Sequence, residues 1–131
     1  MALTVAITLT SAAGDALSDA IQTSLSTSYT VDKANEIKKV KLTGSAQQVI
    51  EADEVGAKLL VIKNVGTTAG THFVKIHNSA TDNIATTRVA TLDVGEIATI
   101  PVSGGVDIYA TGTADEYVEI MAFTISAADR A

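Results

Sequence analysis

The 131-residue chain has no cysteine, one proline and five aromatic residues, and its fifteen Asp and Glu outnumber nine Lys and Arg. Without cysteine there is no disulfide, no thiolate nucleophile and no Cys-ligated metal. With three tyrosines and two phenylalanines, a stacking platform for bases or sugars is poorly supplied; Tyr29, Tyr109 and Tyr117 are the residues that would build one. A formal charge of −6 opposes tight binding to nucleic acid or anionic membrane, both of which require a basic face. No apolar run approaches the roughly 20 residues of a membrane helix. Met1 to Thr10 lacks a basic leader and interleaves its apolar residues with Thr4, Thr8 and Thr10, so export is not expected and folding is placed in the cytoplasm.

Threonine, valine and isoleucine make up 43 of the 131 residues, and these β-branched types suit a pleated, half-buried surface. From Ser18 to Val31 the alternation is regular: Ile21, Thr23, Leu25, Thr27, Tyr29 and Val31 share one face, and Gln22 with a run of Ser and Thr takes the other. A helix over Ala16 to Leu25 competes, but the Ser/Thr density disfavours it. Turn clusters at 32–35, 43–45, 53–56, 64–70, 78–83, 93–96, 103–105 and 111–115 cut the rest into strand lengths. The strands expected between them are Ile37–Leu42, Ala46–Ala52, Lys58–Lys63, His72–His77, Ile84–Leu92, Ile97–Val102, Val106–Ala110 and Glu116–Ile125. Leu3–Thr10 and the strand from Ser18 bring the total to about ten. Leu59–Ile62 is apolar on both faces and reads as a central strand. Pro101 belongs at an edge or strand end. Leu60, Ile62, Ile100, Ile108, Ile120 and Phe123 are expected in the core. The reading is all-β, an antiparallel β-sandwich or jelly roll of about 8–10 strands, with residues 1–131 as one domain and 1–19 a possible N-terminal arm.

Candidate chemistry is sparse. His72 and His77 are five apart, so one strand would send them to opposite faces, where they cannot share a metal. Glu51, Asp53 and Glu54 beside Gly56, and Asp115 with Glu116 after Gly112, lack the spaced Asp/Asn ladder of a calcium loop and read as solvated turns. Ser103 and Ser45 lack the context of a nucleophile elbow. Gly66 to Gly70 lacks the Lys-Ser/Thr ending of a phosphate loop and reads as a flexible hairpin tip. Lys38, Lys39 and Lys41 read as protection of an edge strand or as contacts to an acidic neighbour. No catalytic, cofactor-binding or metal-binding residue is assigned, and an enzyme is not expected.

Three segments carry a resemblance. Leu-Val-Ile-Lys-Asn-Val-Gly at 60–66 ends a hydrophobic strand in Asn-x-Gly. Thr-Leu-Asp-Val-Gly-Glu-Ile-Ala-Thr-Ile-Pro-Val at 91–102 places a Leu-x-x-Gly-Glu turn before an apolar strand. Val-Asp-Ile-Tyr-Ala-Thr-Gly-Thr at 106–113 precedes a long apolar closing strand. Over about half of the chain this resembles the head-decoration, or capsid cement, proteins of tailed bacteriophages; similar spacing appears in phage tail and fibre modules. The resemblance implies a virion protein that clamps neighbouring capsid subunits, assembled in the host cytoplasm. Its implied partners are the major capsid protein or other virion proteins and further copies of itself, a trimer being favoured. The alternative is a tail- or fibre-associated receptor- or glycan-binding module.

Overall fold

The computed structural model describes residues 2–10, 22–50 and 57–125. Among them there are nine strands and no helix. In chain order they are β1 (Ala2–Thr10), β2 (Gln22–Lys41), β3 (Gln47–Ile50), β4 (Lys58–Asn64), β5 (Val74–His77), β6 (Arg88–Leu92), β7 (Ile97–Val102), β8 (Ile108–Thr111) and β9 (Tyr117–Ile125). One sheet runs β1-β2-β9-β4-β7 and the other β3-β8-β5-β6, and every recorded pairing is antiparallel. With β1 set aside, the chain crosses between the sheets at each connection except the β5–β6 hairpin. This is the strand order of a jelly roll, the narrower of the two architectures expected.

The apolar run at Leu59–Ile62 lies at the centre, as its two-sided hydrophobicity demands: β4 is hydrogen-bonded to β9 on one flank and β7 on the other. Its even-numbered residues face the second sheet. Leu60 and Ile62 meet Val118, Ile120 and Ala122 of β9, Val74 and Ile76 of β5, Leu92 of β6, and Ile108 and Ala110 of β8 in the main core. The odd-numbered face also finds cover. Leu59, Phe123, Ile125 and Val31 form a second buried cluster outside the sheet, against which Leu3, Val5 and Tyr29 pack. Phe123 therefore belongs to this outer cluster. Ile100 is only partly buried, because β7 is an edge strand with no neighbour beyond it. Pro101 sits on that edge, where a missing donor does least harm.

Several boundaries differ from the sequence reading. The turn expected at 32–35 does not form: the strand from Ser18, described from Gln22 onward, runs straight into Ile37–Leu42 as the single strand β2. The register against β9 pairs Val31, Lys33, Ala34 and Glu36 and skips Asp32 and Asn35, so the two turn-prone residues are absorbed as bulges. Residues 22–25 are strand, which removes the helical alternative there; the remainder of that stretch, like residues 11–19 of the expected arm, lies outside the described residues. Ile84–Thr87 is a turn and not the start of β6. The Asn83 carbonyl accepts from the backbone N–H groups of Thr86, Thr87 and Arg88, and its side chain accepts from that of Ala85. An Asn that satisfies its own neighbourhood in this way competes with the ladder.

Candidate functional site

The chemistry-bearing side chains fall into two groups, each consumed by the fold. At one end of the sandwich, Asn64 closes β4 fully buried. Its Nδ2 donates to the carbonyls of His72 (2.7 Å) and Leu92 (3.0 Å), and its Oδ1 accepts from the Gly66 N–H at 2.9 Å. A Cβ at Gly66 would lie 2.8 Å from Glu116 Oε2 and 3.1 Å from Asn64 Oδ1, so any other residue there displaces the Glu116 carboxylate. The Asn-x-Gly motif is thus a three-way staple between the sheets. Glu116 accepts from the Thr67 N–H (2.8 Å) and hydroxyl (2.9 Å), and its Oε1 lies 3.0 Å from His72 Nδ1. That last contact is off the N–H axis, so it is an electrostatic approach and not a formed hydrogen bond.

The 64–70 segment also departs from expectation. It links β4 of one sheet to β5 of the other and is no hairpin tip. The amides that an anion cradle would need are already donated, those of Gly66 and Thr67 as above and that of Gly70 to Asp93 Oδ1 at 2.8 Å. The Leu-x-x-Gly-Glu turn is a reciprocal clasp. The Glu96 N–H donates to the Asp93 carbonyl, and Glu96 Oε2 accepts from the Asp93 N–H, with Gly95 at φ 87°.

On the outer face of the four-stranded sheet, His77 is buried under the 78–87 loop. A carbonyl can only accept, so the contact of Nδ1 with Ser79 O (2.6 Å) assigns the proton to Nδ1. Nε2 then accepts from the Thr111 hydroxyl at 2.8 Å. The ring stacks on Tyr109 at 6.0 Å between centroids. The loop is clipped down by a two-pronged Arg88–Asp82 pair. Its hydrogen bonds, and then its charge, hold the Asp82 carboxyl below the usual carboxylate range and raise Arg88. Beside it lies an open depression of about 280 Å³ lined by Gly44, Thr71, Phe73, Lys75, Thr111, Gly112 and Thr113. Lys75 is the one titratable side chain among these lining residues.

The two histidines therefore occupy separate environments. Asp115 pairs with Lys41 (3.2 Å) while Glu116 turns to Thr67, so these neighbours do not converge on a cation. Glu51, Asp53 and Glu54 lie outside the described residues. Among the described residues no three His, Asp or Glu side chains are placed to hold a metal. Ser45 and Ser103 are exposed turn residues. Lys39 and Lys41 lie on the half of β2, Val31–Lys41, that has β9 on one flank and no strand on the other among the described residues. That is the edge position expected of them. The tyrosines do not form a platform: Tyr29 packs at the outer cluster, Tyr109 on His77, and Tyr117 lies under Lys39 Nζ at the opposite end of β9.

The ribbon formed by β1 and the first half of β2 is only partly covered by the rest of the chain. Nine consecutive pairs, Ala2↔Thr30 to Thr10↔Gln22, join them with no register shift. Odd-numbered residues share one face, on which Leu3, Val5 and Tyr29 pack against the outer cluster. Farther along, Ile7, Leu9 and Leu25 are 49%, 50% and 60% exposed, and Ile7 and Leu25 border a groove of about 150 Å³. Neither arm of the ribbon contains an ionisable Asp, Glu, Lys, Arg or His. The sequence displayed both alternating segments but not their pairing; eighteen residues without a charge in an acidic chain were the available signal.

Comparison of the chain with protein-family models, with curated proteins and with solved structures finds no match in any of the three.

Proposed function

We propose that this chain is a structural protein of a tailed-phage virion, a decoration module that docks through its ribbon and ties neighbouring capsid subunits together. The observation that carries this reading is the bare apolar face at Ile7, Leu9 and Leu25. A two-stranded ribbon is marginal in water by itself. One that stands off a sandwich with aliphatic side chains half in solvent is stabilised when another surface covers it. At about 3.3 Å per residue, the five pairs past Val5 add roughly 16 Å of reach beyond the part packed on the sandwich, enough to lie across the seam between two abutting subunits. The jelly roll supplies a rigid base for this reach. The polar side chains described above are engaged in holding its loops together. Many copies on one particle would make weak individual contacts strong collectively. The dispersal of the three tyrosines gives no support to the glycan-binding alternative.

The test is sedimentation of the purified protein with expanded heads lacking it, taken from the phage that encodes it. Wild-type protein is expected to pellet with heads. An Ile7→Ser/Leu25→Ser variant, altered only at exposed positions, is expected to stay in the supernatant with an unchanged circular dichroism spectrum. Heads that leave wild-type protein in the supernatant, or that bind both proteins equally, overturn the proposal.

A further inference from the structure

We infer that β1 is a self-pairing edge, and that in the free protein it joins antiparallel to β1 of a second copy about a twofold axis. The inference rests on the reading of the ribbon as an assembly element, but it concerns the strand's edge, whereas docking to heads concerns its apolar face.

The four terminal strands of the two sheets are treated differently. β3 has four residues and a register shift, β6 has five and begins with Arg88 beside another shift, and β7 carries Pro101. The open flank of β2 at Val31–Lys41 has two bulges, Lys39 and Lys41. Shortness, bulges, lysine and proline are the devices by which sheets prevent unwanted pairing. β1 has none of them: it is nine residues long, uncharged and in unbroken register, and no strand pairs with its other flank among the described residues. In a protein of charge −6, β1 and its hairpin partner are also where two like-charged copies can meet without opposing carboxylates.

Identity of the partner follows from closure. A heterologous contact leaves another β1 edge open and propagates into fibres, whereas an isologous one consumes both edges at once. Full overlap of Ala2–Thr10 with its own image centres on Ala6. It sets Leu3 opposite Leu9 and Val5 opposite Ile7 on one face, and Thr4 opposite Thr8 on the other. The sheet then continues through the axis as ten strands, and two apolar ribbon faces lie side by side for a larger partner.

The chain has no cysteine, so Ala6→Cys is a clean reporter. Cα atoms of directly opposed antiparallel residues lie about 4.5–5.5 Å apart, within disulfide range. Mild oxidation of Ala6→Cys is expected to give a covalent dimer in high yield, while Val89→Cys, exposed on β6, gives no covalent dimer. In equilibrium sedimentation the wild type is expected at twice the chain mass. Ala6→Lys, which places two ammonium groups at the axis, is expected to halve that mass without changing the circular dichroism spectrum. A wild-type monomer, a trimer, or a dimer untouched by Ala6→Lys overturns the inference. A monomer that binds heads rejects edge pairing alone; a crosslinkable dimer that does not bind heads rejects the decoration role alone.

Discussion

Replacing Asn64 tests whether the Asn-x-Gly motif holds the two sheets in register. The side chain is fully buried and makes three hydrogen bonds, two donated to the carbonyls of His72 and Leu92 and one accepted from Gly66. At about 1 kcal/mol net for each bond, Asn64→Ala should cost about 3 kcal/mol, with desolvated carbonyls pushing the value upward. For a domain of this size that corresponds to a fall in Tm of about 10 °C. Asn64→Asp is the sharper variant. It places a carboxylate oxygen where the amide now donates to two carbonyls, so the folded protein disfavours the charged form and the Asp pKa rises on folding. A pKa raised in the folded state means stability is greatest below the unfolded value and is lost as pH rises through the folded one. Asn64→Asp should therefore be less stable than Asn64→Ala near neutral pH and recover in acid. Urea unfolding followed by far-ultraviolet circular dichroism measures both. A cost below about 1 kcal/mol for Asn64→Ala, or an Asn64→Asp variant that weakens on acidification relative to wild type, would refute the staple.

Other perturbations have equally defined outcomes. Leu60→Ala, at a position with no solvent exposure, should cost about 2–5 kcal/mol in urea unfolding, and Ile100→Ala on the β7 edge about half as much. Gly112→Ala should destabilise by about 1–3 kcal/mol without backbone strain, because its Cβ would collide with buried Leu42 Cδ1 while Phe73 O closes the other side at 3.4 Å. Leu42→Ala should cost less in that background than in wild type; an equal or larger cost would remove the steric explanation. The Asp82–Arg88 clip depresses the Asp82 pKa, so its stabilisation is complete above the unfolded carboxyl value and is lost as pH falls through the lower folded one. The Tm difference between wild type and Asp82→Asn should accordingly shrink in acid; a constant difference across the range would show that the pair carries no pH-dependent stability.

The strands that were legible in the sequence are those whose pattern has a single solution. β4 is apolar on both faces and β9 alternates two apolar sets, so each had to be central, and both lie between two neighbours. Ends were less legible because side-chain chemistry there serves more than one structure. Asn83 reads as a loop residue, yet how far its hydrogen bonds delay β6, to Arg88, depends on which backbone groups come within its reach. His77 and Glu116 are ordinary polar residues in sequence; one became a buried bridge between Ser79 and Thr111, the other the anchor of Thr67, through contacts across 34 and 49 residues.

Asp32 and Asn35 carry the most instructive difference. Both are turn formers, and a turn at 32–35 would have folded Ile37–Leu42 back on the preceding strand. Against that stands β9, nine residues long, whose outer face needs Val31 over Ile125 and whose ladder continues to Lys41 opposite Tyr117. Continuous pairing with β9 keeps the backbone hydrogen bonds that a reversal would interrupt, and two bulges let the turn formers sit unpaired within it. Bulges increase local twist, and both lie at the start of the β9-paired half of β2, within five residues of the half paired with β1. The residues that failed to make a turn thus mark the junction between sandwich and ribbon. Twist added there bears on the direction in which the ribbon continues past the end of β9.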